Sequence, residues 1–332
     1  MKLINLLVAN VWVMGLALTG CDPVDGSGAS DEVESRNGWG YSCPTWQCGF
    51  NSSEVNGRAI RELNLDGVAN SSGMKIVGFI APLGILGNYK LAVKNDELVA
   101  KYNGSTLRGL QLIGATILVK EPGLLSLPLP ITIAGYDEIP SWAPGTPDVG
   151  TYALVYPDLG SLTGTRNVCN GDLIDVLATA AVVLGGETYN LSTKEVNEGL
   201  DRWFTIGCAG SAAAKMRLFN YGPQSDFDGN GNPATVDQRQ ATLKMITADY
   251  CGNGTSYTAN GTPLQFEDAA NTVAVSGTPG ASEAIWTAEG ALCLDTLRTG
   301  AARTSVACHT SLPNCSSFDV DDGVWATYKP AP

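Results

Sequence analysis

Five oxygen-bearing residues stand at the spacing of a calcium loop: Asp226, Asp228, Asn230, Asn232 and Asp237. With Asp226 as position one, the stretch satisfies D-x-[DN]-x-[DN]-G, and Asp237 falls at position twelve. Calcium takes about six to eight oxygens, and such loops draw them from these positions, with a glycine at position six for the sharp turn. Position seven contributes a backbone carbonyl, here that of Asn232. Asp237 replaces the usual glutamate with a shorter arm, which weakens binding. Pro233 at position eight removes an N–H. The rival reading is a polar Asn-Gly turn loop of the same composition. Ca2+ is the cofactor that the spacing suits, and no other cofactor is suggested.

Other chemistries are thinly supplied. Asp201, Asp249, Glu283 and Glu289 are carboxylates, and two converging carboxylates could hydrolyse a glycosidic bond. Their spacing gives no reason for them to converge. His309 is the single histidine and stands beside Cys308. A Ser-His-Asp arrangement would have to use it, and no Gly-x-Ser-x-Gly turn precedes it. Gly207-Cys208-Ala209-Gly210 could form a nucleophile turn only if Cys208 were a free thiol. Trp39, Tyr41, Trp46 and Phe50 crowd the first cysteine loop, either as a sugar-binding platform or as packing over a small disulfide. Trp203, Phe204 and Trp286 read as core. No residue is assigned a catalytic role. The expectation is a structural or binding role, with an envelope hydrolase acting on polysaccharide or peptidoglycan as the alternative.

The compartment is read from the N-terminus. Residues 4–18 are an apolar run behind Lys2, closed by Leu18-Thr19-Gly20-Cys21. The run is shorter than the ~20 apolar residues that span a bilayer and ends at small residues, as an export signal does. Leu-Thr-Gly-Cys resembles a bacterial lipobox, in which Cys21 is acylated and becomes the first mature residue. Acyl chains then anchor the protein to an envelope membrane from outside the cytoplasm. Residues 22–40 are rich in Gly, Ser, Asp and Glu and read as a tether. The expected partners are that membrane and an unknown envelope protein or glycan.

Eight cysteines remain: Cys43, Cys48, Cys169, Cys208, Cys251, Cys293, Cys308 and Cys315. An even number in an exported chain predicts disulfides. The local pairs Cys43–Cys48 and Cys308–Cys315 are expected first, leaving Cys208–Cys251 and Cys169–Cys293. A zinc site is disfavoured, because there is no Cys-x-x-Cys and only one histidine. The net charge of −13 and the lack of a basic run in sequence exclude nucleic acid as a partner.

These residues need a scaffold. Strands are predicted at Lys75 to Ile80, Tyr89 to Val93, Glu97 to Tyr102, Leu110 to Lys120, Ile131 to Ala134 and Thr151 to Tyr156. Turns at Lys94-Asn95-Asp96 and Asn103-Gly104 separate them. Leu124 to Pro130 is proline-broken and reads as a loop or edge strand. Farther on, Ala178 to Leu184 reads as a buried strand, Thr193 to Leu218 as helical, and Val236 to Tyr250 as the clearest helix, ended by Cys251-Gly252. Short strands follow at Ser256 to Thr258, Glu283 to Thr287 and Ala291 to Asp295, the last two as a hairpin. The fold class is α+β: a β-rich N-terminal half, sandwich or barrel-like, and a mixed helix and strand C-terminal half stapled by disulfides. The expected organisation is signal peptide 1–20, tether 21–40, β-rich region 41–165, α+β region 166–318 and tail 319–332.

Several motifs in order then resemble one family. They are Cys43-Pro44 with Trp46 and Cys48-Gly49, Trp203-Phe204 with Cys208-Ala209-Gly210, Ala248-Asp249-Tyr250-Cys251-Gly252, Glu283-Ala284 with Trp286, and Cys293-Leu294-Asp295 with Arg298. Together they are similar to the ADYC domain, from about Cys43 to Cys315. The resemblance implies an exported protein, of a kind found mainly in myxobacteria and often as a lipoprotein. It brings no assigned activity or site. Leu297 stands where the family pattern suggests proline.

Overall fold

The computed structural model describes residues 52–330, except 84, 124–125, 162, 170–179, 260–261 and 276. The leader, Cys21, the tether, Cys43, Cys48 and the aromatics beside them lie outside the described residues.

The chain opens with a hairpin of β1 (Glu54–Val55) and β2 (Arg58–Ala59), then β3 (Glu62–Asn64) and β4 (Lys75–Ile80). A three-stranded meander follows: β5 (Lys90–Lys94), β6 (Glu97–Tyr102) and β7 (Ser105–Arg108). Both of its turns have two central residues at positive φ, Asn95 with Asp96 and Asn103 with Gly104. That geometry matches the twist of antiparallel strands and favours Asn, Asp and Gly. Next come β8 (Thr116–Lys120), β9 (Leu129–Ile139), β10 (Val149–Pro157), β11 (Thr165–Asn167) and β12 (Ala181–Gly185). The Leu110 to Lys120 strand expectation is half met. Gly109–Leu112 is a 3-10 turn, and the ladder begins only at Thr116.

β13 (Thr188–Asn190) and β14 (Glu195–Asn197) form a small hairpin ahead of β15 (Trp203–Cys208) and α1 (Ala212–Leu218). The helical expectation for Thr193 to Leu218 is therefore corrected. Trp203 to Ile206 is aromatic and β-branched and joins a ladder. The helix starts only at Ser211, whose hydroxyl accepts from Ala214 N–H. Gly207 lets that turn close, since a Cβ there would lie 3.0 Å from the Ala214 nitrogen.

The main sheet runs β3-β15-β12-β10-β9-β8-β4, with β11 beside β10, and every pairing is antiparallel. It curls into a half-barrel. Its concave side holds an apolar core of residues such as Leu63, Leu98, Ile117, Ile131, Tyr152 and Phe204. The meander covers that core with Leu98, Ala100 and Leu107. β12 is buried on both faces. Ala181 and Val183 point to this core, Val182 and Leu184 to a second one under α1. A continuous apolar run is what such a strand requires.

The second layer contains α2 (Val236–Thr247) and a sheet of β16 (Gln265–Asp268), β17 (Ala281–Thr287), β18 (Gly290–Leu294) and β19 (Trp325–Lys329), ordered β16-β19-β17-β18. The β17–β18 hairpin stands where the two short runs predicted it. Ser256 to Thr258 does not pair into a ladder. The backbone N–H of Tyr257 instead donates to Ala248 O. The main sheet takes strands from both sides of residue 166, and β19 lies inside its sheet. An aromatic cluster of Phe219, Tyr221, Phe266 and Trp325 fills the space beneath α2. Among the described residues no helix is long and apolar enough to cross a membrane.

Candidate functional site

The recognisable stretch at the end of α2 is a knot of framework contacts. A capping box of Thr235 and Gln238 opens the helix. Its C-terminal cap is Ala248 in the left-handed region at φ 50°, ahead of the expected stop at Cys251-Gly252. A non-glycine residue there costs about 1 kcal/mol or more, so neighbours must hold it. Asp249 does so. It is fully buried, its Oδ2 lies 2.9 Å from Lys244 Nζ, and it accepts from the backbone N–H groups of Asn253 and Gly254. Tyr250 stacks on Trp286 and donates to Glu283 Oε1 at 2.5 Å. Glu283 in turn pairs with Arg298 Nε at 2.7 Å. Cys251 is bonded to Cys308. Gly252 has no room for a side chain, since a Cβ would sit 1.8 Å from the Glu289 carbonyl oxygen.

The disulfides correct the expected pairing. Cys169 joins Cys208, Cys251 joins Cys308, and Cys293 joins Cys315. Cys308 and Cys315 therefore have separate partners. Each reaches back to the β17–β18 region, one at the end of α2 and the other in β18. The partners are brought together by the sheet, which spacing along the chain does not encode. Cys208 is oxidised, so its glycine-flanked turn offers no thiolate nucleophile. His309 directs Nδ1 to the carbonyl oxygen of Val306 at 2.8 Å.

The acidic loop is closed by its own side chains. Asp228 accepts from the N–H groups of Asn230 and Asn232 and from Asn232 Nδ2, while Asp226 accepts from Gly231 N–H. The Asn232 amide is the largest cause holding the Asp228 carboxyl down at about 2. Asp237 sits in the first turn of α2. Among the described residues no three His, Cys, Asp or Glu side chains gather as a metal group.

The four carboxylates named from sequence separate. Asp249 and Glu283 are buried in different ion pairs. Glu289 is exposed and accepts from Thr287 Oγ1. Asp201 borders an open polar cleft of about 380 Å3. Glu198, Gly186, Gln224, Thr235 and Arg239 share its wall. Arg239 is buried on α2, with Nε 2.8 Å from Glu187 Oε2 and a further nitrogen 3.9 Å from Glu198. Glu187 also accepts from the Tyr189 hydroxyl. Burial dominates the balance and lifts the Glu187 carboxyl to about 7, against the pull of Arg239.

Sequence reasoning missed Glu187, Arg239 and Asp96. By sequence Asp96 is a turn residue of Lys94-Asn95-Asp96. Its left-handed turn geometry is as expected, yet its carboxylate is buried and accepts from Gly185 N–H, Gln224 N–H and Ser225 Oγ. It thereby ties the meander to the end of β12 and to the rear of the cleft. Burial raises its pKa despite Arg217 nearby. Nothing local distinguishes such an aspartate from any other turn aspartate.

With this geometry in place, the comparisons are direct. The family model of the ADYC domain matches residues 109–300. No curated protein and no solved structure matches the chain.

Proposed function

The chain belongs to the ADYC domain family, and we propose that it is a lipid-anchored cell-envelope protein with a binding role. In this reading acylated Cys21 holds it to the membrane and the Arg239 cleft receives a hydroxyl-rich ligand, an envelope glycan. The observation that carries the binding role is the division of polar groups. The signature residues are buried and held by framework contacts: Asp249 pairs with Lys244, while Tyr250 and Arg298 both engage Glu283. The cleft leaves Asp201, Glu198 and Gln224 facing an open volume. Carboxylates and amides on a rigid wall suit hydroxyl donors and acceptors. The support for anchoring is the Leu18-Thr19-Gly20-Cys21 run behind a short apolar core.

A hydrolase remains the second reading because Glu198 and Asp201 border the same cleft. One experiment addresses both. The full chain is titrated with soluble peptidoglycan and polysaccharide fragments, and the products are examined for cleavage. Binding that Glu198→Gln and Asp201→Asn weaken, with the fragments intact, supports the binding role. Fragment cleavage lost in either variant supports the hydrolase. No binding at millimolar fragment rejects the glycan. Mass spectrometry of the mature N-terminus tests anchoring separately, and an unmodified Cys21 rejects it.

A further inference from the structure

One buried cation keeps an unused edge in the cleft. Arg239 is 5% exposed, yet it lines the wall beside Glu198, Asp201 and Gln224. Its Nε donates to Glu187 Oε2 and its Nη1 to the Ala234 carbonyl oxygen. Its Nη2 donates no hydrogen bond among the described residues. Glu198 Oε2 stands 3.9 Å from that nitrogen, within ion-pair reach and beyond hydrogen-bond length. The Glu198 side chain, just after β14, is 61% exposed.

The guanidinium is held in place from behind. Glu187 is fully buried, and its other oxygen accepts from the Tyr189 hydroxyl. Gln224 is seated against the end of β12. Its Nε2 lies 2.6 Å from where a Cβ at Gly185 would stand, and its backbone N–H donates to Asp96. Neither the Gln224 side-chain amide nor the Asp201 carboxylate has a hydrogen bond among the described residues. A fixed N–H edge therefore faces an exposed carboxylate across a short gap, with further unmatched polar groups on the same wall.

We infer that Arg239 and Glu198 clamp one hydroxyl of an uncharged sugar and so set the specificity of the cleft. The hydroxyl oxygen accepts from Arg239 Nη2, and the hydroxyl donates to Glu198. The inference rests on the glycan reading above and narrows it to neutral glycan. A hydroxyl accepts and donates at once. Two legs of ordinary hydrogen-bond length close over a base of 3.9 Å. A ligand ammonium could give to Glu198 but offers Arg239 nothing to donate to. A ligand carboxylate could accept from Arg239 but has no proton for Glu198, and it meets the like charges of Glu198 and Asp201. The charge of Arg239 is already met by Glu187.

Calorimetric titration of the full chain tests it at pH 8, where Glu187 is mostly ionised. The probes are neutral oligosaccharides of the cellulose, starch and chitin types, with oligogalacturonate as the acidic counterpart. A neutral oligomer is expected to bind about tenfold or more tightly than the uronate. Glu198→Gln keeps an acceptor and removes the charge. It should weaken the neutral oligomer by about tenfold and narrow its preference over the uronate. Among monodeoxy analogues of the sugar that binds, one position should cost about tenfold in the wild type and clearly less in Glu198→Gln. Arg239→Lys should lose the same increment, and Glu198→Gln, at an exposed side chain, carries the test if that variant does not fold. Equal affinity for neutral and acidic oligomers overturns the clamp and leaves the glycan reading standing. So does an unchanged preference in Glu198→Gln, or a deoxy cost that Glu198→Gln does not alter. No binding of any oligomer at millimolar concentration overturns both.

Discussion

The half-barrel and the α2 layer are stabilised by different means. The half-barrel core is mostly aliphatic and sheet-built, with Leu63, Ile117, Ile131 and Leu154 beside fewer aromatics, Tyr152 and Phe204 among them, and with one disulfide, Cys169–Cys208. The α2 layer holds large aromatics, two disulfides and the buried pairs Lys244–Asp249 and Glu283–Arg298. Its sheet is shorter and its connections longer, so backbone ladders leave more chain to be fixed. A buried ion pair adds little net stability but is costly to break, which makes it a device for a single arrangement. The same layer carries the ADYC signature. In this protein a recognisable motif marks a structural fastening, and the open polar cleft lies elsewhere.

The comparison predicts unequal sensitivity. Asp249→Ala leaves Lys244 buried without its partner and should cost about 3–5 kcal/mol in denaturant unfolding. Ile131→Val in the half-barrel should cost about 0.5–1.5 kcal/mol. Similar values for the two would dissolve the contrast. Next in size is Cys251→Ser with Cys308→Ser, which opens a loop of sequence separation 57 and should cost about 2–4 kcal/mol. A change below about 1 kcal/mol would show that the buried pairs alone fasten this layer.

The pH response sharpens the boundary between the two layers, where Glu187 meets Arg239. A carboxyl raised from 4.5 to about 7 binds its proton more tightly folded than unfolded. Its stabilising contribution is complete below pH 4.5, falls as pH rises to about 7, and is gone above that. The full range is at most about 3 kcal/mol. Asp96, also raised by burial, acts with the same sign. Glu187→Gln should flatten that decline in urea titrations at pH 5 and pH 8. A wild type that gains stability across this interval contradicts the assignment.

The smallest effect belongs to the acidic loop. In chelator, Asp228→Ala should scarcely move the melting temperature, because its hydrogen bonds are exposed. Millimolar Ca2+ should raise the wild-type melting temperature and leave that of Asp228→Ala unchanged. Indifference of the wild type to calcium and to chelator returns the loop to a polar turn.

What the sequence determined by itself was local. β4 and β6 have the bounds that β-branched and aromatic runs predicted. The Asn95-Asp96 and Asn103-Gly104 turns follow from residues that tolerate positive φ. α2 begins at the predicted Val236, and the β17–β18 hairpin forms from the two short runs that predicted it. These depend on energies between near neighbours. The tertiary structure decided the rest. Cys308 could close on Cys315 by spacing, but the sheet places Cys251 and Cys293 beside them. Trp203 to Ile206 fits a helical stripe until β3 and β12 offer it ladders. Asp96, Glu187 and Arg239 show nothing in sequence, because their role comes from burial against residues about 50 to 130 positions away. Loop-closure entropy grows slowly with length, so spacing hardly favours one distant partner over another, and packing makes the selection.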